Sequence, residues 1–239
     1  CGGCSHQDLD YARQLHWKHI QVQETLARLG NLGDAAADRV LPILPSPETR
    51  FYRNKMEFAF GGGAGERLSL GLRPVGSADG LLDISTCLLQ SAQSAEMVNA
   101  ARAFCRTTGY PAYDPARDSG LWRHLVVREA KTTGQTLVHC ITAPWRQAAE
   151  AVQALADHLH AAFPSLTSFV HSTRKNRLAV AQGEVQRFAT GPGHIFENLG
   201  PFTFRISPDA FFQTNTPAAH LLYSAALELG RLEPSWTVW

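Results

Sequence analysis

No apolar stretch in the sequence approaches the roughly 20 residues that a membrane-spanning helix requires, so a helical membrane anchor is not expected. Charge imbalance is also missing. With 22 basic and 21 acidic side chains the net charge is +1, and any nucleic-acid site has to be a local patch rather than a global field. Cysteines are few and odd in number, five, in a chain of 239 residues well supplied with apolar side chains. Such a chain does not need a disulfide framework, which points to a reducing compartment and a cytoplasmic location. A basic-then-apolar leader is not expected, and no internal repeat or low-complexity tract is evident. The length suits one large domain or two small ones, each with a core of its own.

Within this unremarkable background the stretch Cys1-Gly2-Gly3-Cys4-Ser5-His6-Gln7 stands out. Two cysteines separated by two glycines can turn both sulfurs toward one centre, because a backbone without side chains folds tightly and aims its N–H groups at the sulfurs. An iron–sulfur cluster, a zinc site, a disulfide and a chance pair all satisfy this spacing. A cluster needs further thiolates. Cys87, in Asp83-Ile84-Ser85-Thr86-Cys87, is the expected third, shortly after a turn signal at Asp79-Gly80. Cys105 and Cys140 fall in helical and strand patterns and read as core. A start at a metal-type cysteine and an end at Thr237-Val238-Trp239 suggest a piece of a longer protein.

The apolar pattern orders the rest. Ser5 is the expected cap of a first helix carrying Leu15, Val22, Leu26 and Leu29 on one face, ended by Gly30 and Gly33. The prolines between Leu41 and Pro47 read as a linker. Alternation through Phe58 and Phe60, then Leu68, Leu70 and Leu72, predicts two strands joined by a hairpin loop at Gly61 to Gly65; a strand, not a helix, follows those glycines, which argues against a phosphate-cradling loop. Helical spacing from Ser94 to Cys105 and from Arg146 to Phe163 alternates with strands at Leu121 to Glu129 and through Val138, Cys140 and Thr142. Further strands are expected at Ser168 to Ser172, Leu178 to Ala181 and Phe202 to Ile206, then a helix through Ala218, Leu222, Ala225 and Leu229, and the start of a strand at Trp236 to Trp239. Helices separated by hairpins indicate an α+β layer with a largely antiparallel sheet.

Several stretches in this order resemble the iron–sulfur type of RNA uracil-5 methyltransferase, best represented by the bacterial enzymes acting on 23S ribosomal RNA. The cysteine stretch, with Tyr11, Gln14 and Lys18 behind it, is one; the others are Tyr52-Arg53-Asn54-Lys55, Cys87, Arg123-His124-Leu125-Val126-Val127-Arg128, and Ser207-Pro208-Asp209-Ala210-Phe211-Phe212-Gln213-Thr214-Asn215 before Leu222-Tyr223. The resemblance implies an α+β central domain at 42–206, a cluster-binding segment at 1–6, a helical segment at 7–41 and, from 207 to 239, the first elements of a doubly wound α/β methyltransferase domain. It also implies a four-iron four-sulfur cluster on Cys1, Cys4 and Cys87 with a fourth ligand upstream, S-adenosylmethionine contacted by Gln213, and a monomer acting on RNA, with 23S rRNA as the partner.

In that family a cysteine thiolate adds to carbon 6 of uracil, the enolate takes the methyl group, and a carboxylate removes the proton at carbon 5. The matching cysteine, base and cofactor loop lie beyond Trp239, so the chain alone is expected to be inactive. For RNA contact the candidates are Arg53 and Lys55, Arg123 and Arg128, and the loop Arg174-Lys175-Asn176-Arg177, with Tyr52 and Trp122 available for stacking on unpaired bases. Phe211 and Phe212 are expected to pack at a domain junction, and the first and last helices to cover one another. The competing reading is a non-catalytic iron–sulfur or zinc module that binds RNA or senses redox state.

Overall fold

The structure, a computed structural model, describes residues 1–76, 80–233 and 235–237, and the backbone alone at Gln147. The expected turn residue Asp79 lies outside the described residues, as do Val238 and Trp239; Trp236 and Thr237 are not in a strand.

Helix α1 spans Tyr11–Arg28 and is capped by Asp10, whose carboxylate accepts from the Ala12 N–H at 3.0 Å; Ser5 plays no part in the cap. A short α2, Ala35–Arg39, follows and packs against it. Strands β1 (Lys55–Gly62) and β2 (Leu68–Leu72) form the expected hairpin. Its turn demands glycine at 62: φ is +77°, and a Cβ there would lie 2.0 Å from the Arg67 carbonyl oxygen. β3 is only Leu82–Asp83. Then come α3 (Ala92–Thr107), capped by Ser91, β4 (Trp122–Glu129), β5 (Thr136–Thr142), α4 (Ala149–Ala162), β6 (Leu166–Thr173) and β7 (Val185–Thr190). The chain continues through β8 (Ile195–Leu199), β9 (Phe202–Ile206) and α5 (Thr216–Gly230).

Seven strands make one sheet in the order β3-β2-β1-β4-β5-β6-β7, and β8 pairs with β9 in a separate hairpin. Among the described residues only the β5 and β6 strands pair in parallel, with α4 as the crossover, so the sheet is mixed but largely antiparallel. One face carries the main core: Phe58, Leu125, Cys140 and Phe169 pack against Met97, Ala101 and Cys105 of α3 and against Val152, Leu155 and Leu159 of α4. The other face is covered in part by the β8–β9 hairpin, where Ile195 and Ile206 meet Leu137 and Val170.

Three expectations are corrected. Leu178 to Ala181 is irregular rather than a strand; Leu178 and Val180 are 61% and 43% exposed, so the alternation there does not mark a buried face. Strands β7 and β8 carried too weak a pattern to be expected, one because it is an exposed edge and the other because a charged residue, Glu197, is its fully buried centre. The mutual cover of first and last helices is also not made. Val22 and Leu26 of α1 remain 48% and 37% exposed, and Leu222 of α5 remains 56% exposed.

Candidate nucleic-acid interface

The antiparallel β1 starts at Lys55, and just before it Arg53 forms a bridge with Asn215, ahead of α5. This brings the start of the central sheet against the irregular segment after β9. Between them opens a cleft of about 430 Å³ lined by Arg53, Lys55, Glu57, Phe211, Phe212 and Gly3, among others. Lys55 Nζ lies 2.5 Å from Glu57 Oε1. The Arg53 Nε is buried with no hydrogen-bond partner among the described residues. Phe211 is 84% exposed, whereas Phe212 is tucked in beside Phe204 with 5.6 Å between ring centres. The expectation that both phenylalanines pack therefore holds for Phe212 alone. A second cleft of about 280 Å³ shares Glu57 and Leu72 with the first and adds Arg73 and His124.

The other basic candidates behave differently. Arg128 is 2% exposed; its Nε donates to the Pro208 carbonyl at 2.9 Å and its Nη2 to the Ala210 carbonyl. Arg123 is 4% exposed and donates to the carbonyls of Arg174 and Leu178, both at 2.9 Å, with its guanidinium 4.2 Å from the Tyr113 ring centre. Both side chains are thus buried and donate to backbone carbonyls rather than lying open at the surface as the sequence pattern suggested. The reason is tertiary. The ladder between β4 and β5 is irregular at Trp122/His124, and the loop after β6 folds over Arg123. Arg174 is buried too, donating to the Gln182 carbonyl, while Arg177 meets Asp118 at 3.0 Å on the surface. Trp122 is fully buried, which removes it as a stacking platform.

Beside Arg128 sits a polar cluster that the sequence did not suggest. His139 is fully buried, with Nε2 2.9 Å from Ser172 Oγ and Nδ1 3.8 Å from Asp209 Oδ1, the latter nitrogen lacking a hydrogen-bond partner among the described residues. Burial, reinforced by Arg128, lowers its pKa to about 3, so the ring is neutral and the approach to Asp209 is not an ion pair. Burial also raises the Asp209 pKa, against the pull of the Gly183 N–H and of Arg128. Two further residues were not singled out from the sequence. Asn54 donates to the Gln213 carbonyl at 2.7 Å and to Thr216 Oγ1 at 2.9 Å. Glu197 accepts from the backbone of Lys131 and Thr132 and from Thr216 Oγ1. Asn54 lies inside the stretch Tyr52-Arg53-Asn54-Lys55, which was the available signal for it, and a buried acid in a strand is legible only after folding.

Gln213 is half-buried with its carbonyl fixed by Asn54; the cap of α5 is Asn215, which accepts from the Ala218 N–H. The side chain therefore does not serve as the helix cap. All five cysteines are free thiols, and Cys105 and Cys140 are buried in the main core as expected. Gly2 N–H donates to the Arg73 carbonyl at 3.0 Å, and Leu89 N–H points at Cys87 Sγ at 3.4 Å. Cys4 and Cys87 pack against the same core as Leu89. The donors are chemically suited to a soft metal, but no group of three or more metal-ligating side chains is gathered among the described residues. As arranged, the three thiols do not make a closed site. No helix among the described residues is long and apolar enough to cross a membrane.

No protein-family model matches the chain. It is 41% identical over 239 residues to an uncharacterized RNA methyltransferase of Nitratidesulfovibrio vulgaris, covering all of this chain and 50% of that protein. A second uncharacterized RNA methyltransferase, from Chlorobaculum tepidum, is 33% identical over 257 residues, with 100% of this chain and 52% of that protein covered. The chain thus spans about half the length of the curated relatives it matches. Among solved structures it is similar to Pyrococcus abyssi tRNA (uracil-54, C5)-methyltransferase in complex with S-adenosyl-L-homocysteine, with a TM-score of 0.76 and 24% identity over 96% of this chain and 50% of that one. The fold is shared with that half.

Proposed function

We propose that this chain is part of an S-adenosylmethionine-dependent RNA methyltransferase that forms 5-methyluridine, and that the cleft between Arg53, Lys55 and Phe211 receives an unpaired stretch of the RNA. The observation that carries this reading is the 84% exposure of Phe211 at the rim of a cleft holding two cationic side chains. An exposed aromatic beside cations offers base stacking and phosphate neutralisation together, the combination that single-stranded nucleic acid requires. The relatives named RNA methyltransferases support it, and the motif resemblance points to 23S rRNA; the solved homologue is named for tRNA, so both RNAs belong in the assay.

When bound, S-adenosylmethionine supplies the methyl group. The chain's own residues would then hold and orient. Gln213, its backbone fixed by Asn54, presents a side-chain amide suited to the polar groups of the cofactor. Arg53 and Lys55 would neutralise phosphates, with Lys55 leaving Glu57 to do so. Cys105 and Cys140 are excluded as the nucleophile, because burial in the main core pushes both thiols upward and away from thiolate.

The experiment is transfer of labelled methyl from S-adenosylmethionine to uridine-containing rRNA and tRNA fragments, comparing this chain with one extended past Trp239. Activity of the extended protein alone is expected. Turnover by the short chain would overturn the placement of the chemistry, and inactivity of both would favour a binding module. Arg53→Ala should weaken binding of a single-stranded uridine RNA and reduce the salt slope by about one phosphate contact. The ligand role of Cys1, Cys4 and Cys87 stays a separate proposal, and no chemical step runs through it. Iron and sulfide retained in proportion to those cysteines would support it; stoichiometric zinc without iron would end it.

A further inference from the structure

Residues 207–215 join β9 to α5 without a helix or strand of their own, yet they carry the two side chains, Phe211 and Gln213, on which the proposed site depends. Free of anchors, such a segment would sample many orientations. Arg128 reaches it from β4, donating to the carbonyls of Pro208 and Ala210, which flank Asp209. The two bonds need the planar fork of a guanidinium; an ammonium has a single nitrogen and cannot span both acceptors in the same way. Asp209 lies at the centre of this clamp, its carboxylate 3.4 Å from the Gly183 N–H and 3.8 Å from His139 Nδ1. Farther along, Asn54 holds the Gln213 carbonyl.

We infer that Arg128, assisted by Asp209, is a positioning residue that fixes the orientation of Phe211 and Gln213 over the cleft, so that the sheet aims both the RNA-facing and the cofactor-facing side chain. The binding arm of its test rests on the RNA reading above, and a second arm does not. Buried at 2% exposure, Arg128 cannot contact phosphate without leaving these carbonyls. Its loss should therefore weaken RNA binding while leaving the electrostatics of binding unchanged.

The test compares the wild-type chain with Arg128→Lys, Phe211→Ala and the double variant. Amide hydrogen exchange is read across the molecule, and binding of fluorescein-labelled oligouridylate is read at several salt concentrations. Arg128→Lys should speed exchange at Ala210 to Gln213 about tenfold or more, with the amides of α3 unchanged. It should weaken oligouridylate about tenfold at an unchanged salt slope, and adding Phe211→Ala should produce little further loss. Unchanged exchange in this segment, a salt slope reduced by about one, or additive losses would each overturn the inference. If wild-type chain fails to bind oligouridylate, the RNA reading fails while exchange still decides the positioning role. Should Arg128→Lys not fold, Asp209→Asn replaces it, since that side chain is 35% exposed and its substitution should loosen the same segment.

Discussion

On the helix-covered face of the seven-stranded sheet, Phe58, Leu125, Cys140 and Phe169 are buried among the apolar stripes of α3 and α4. Alternate residues of the same strands on the opposite face include Arg128, His139 and Glu57, and what they meet is a hairpin, an irregular segment and two clefts. One backbone thus serves two purposes. The apolar face supplies stability through non-directional burial, and the polar face supplies orientation, because Arg128 there is tied to two backbone carbonyls and His139 to the Ser172 hydroxyl. Volume matters most on the first face, and hydrogen-bond geometry on the second.

The sharpest way to break this contrast is truncation of the apolar face. Phe169→Ala should cost about 3–5 kcal/mol in urea unfolding, as loss of a buried aromatic leaves a cavity; a loss under about 1 kcal/mol would show that the helices do not anchor the fold. Acid should come next, and it acts on both faces. Burial holds His139 down to about 3 and His124 and His171 to about 4, with Arg128, Arg123 and Arg187 respectively adding to the effect. The unfolded histidines take up protons below about pH 6.5 while the folded ones do not, so stability is full above that pH and falls as pH drops toward 4. At pH 5 each contributes a loss of about 2 kcal/mol relative to pH 8, and His139→Gln should flatten the unfolding profile between pH 7 and 5 by about that share.

A smaller effect separates function from fold on the polar face. Glu57→Gln frees Lys55 from its partner and should tighten oligouridylate binding by about two- to fivefold, while stability shifts by less than about 0.5 kcal/mol because the pair is part-exposed. Weaker binding would mean that Glu57 itself touches the RNA. Thermal melts and anisotropy titrations on the same samples distinguish the two.

Periodicity located α3, α4 and the β1–β2 hairpin because each buries one regular stripe, and it located α5 although that helix leaves Leu222 and Leu229 exposed; the signal is local. It missed β7, an exposed edge, and β8, where Glu197 occupies the position of an apolar residue. Arg53 and Lys55 lie in one cleft, as their spacing before and within a strand allowed. Arg123 and Arg128 were equally basic on paper, yet folding turned both inward.

The sequence by itself determined the α+β character, the alternation of hairpins and helices, the core placement of Cys105 and Cys140, and the proximity of Arg53 to Lys55. All of these follow from spacing over a few residues. Only the tertiary structure decided that Arg128 is buried against the carbonyls of Pro208 and Ala210, that Phe211 stays exposed while Phe212 packs, and that Asn54 holds the backbone before α5. The deciding bonds join residues 80, 82 and 159 positions apart. A side chain's fate as anchor or as free surface depends on which distant carbonyl the fold brings within reach, and no short-range pattern carries that information.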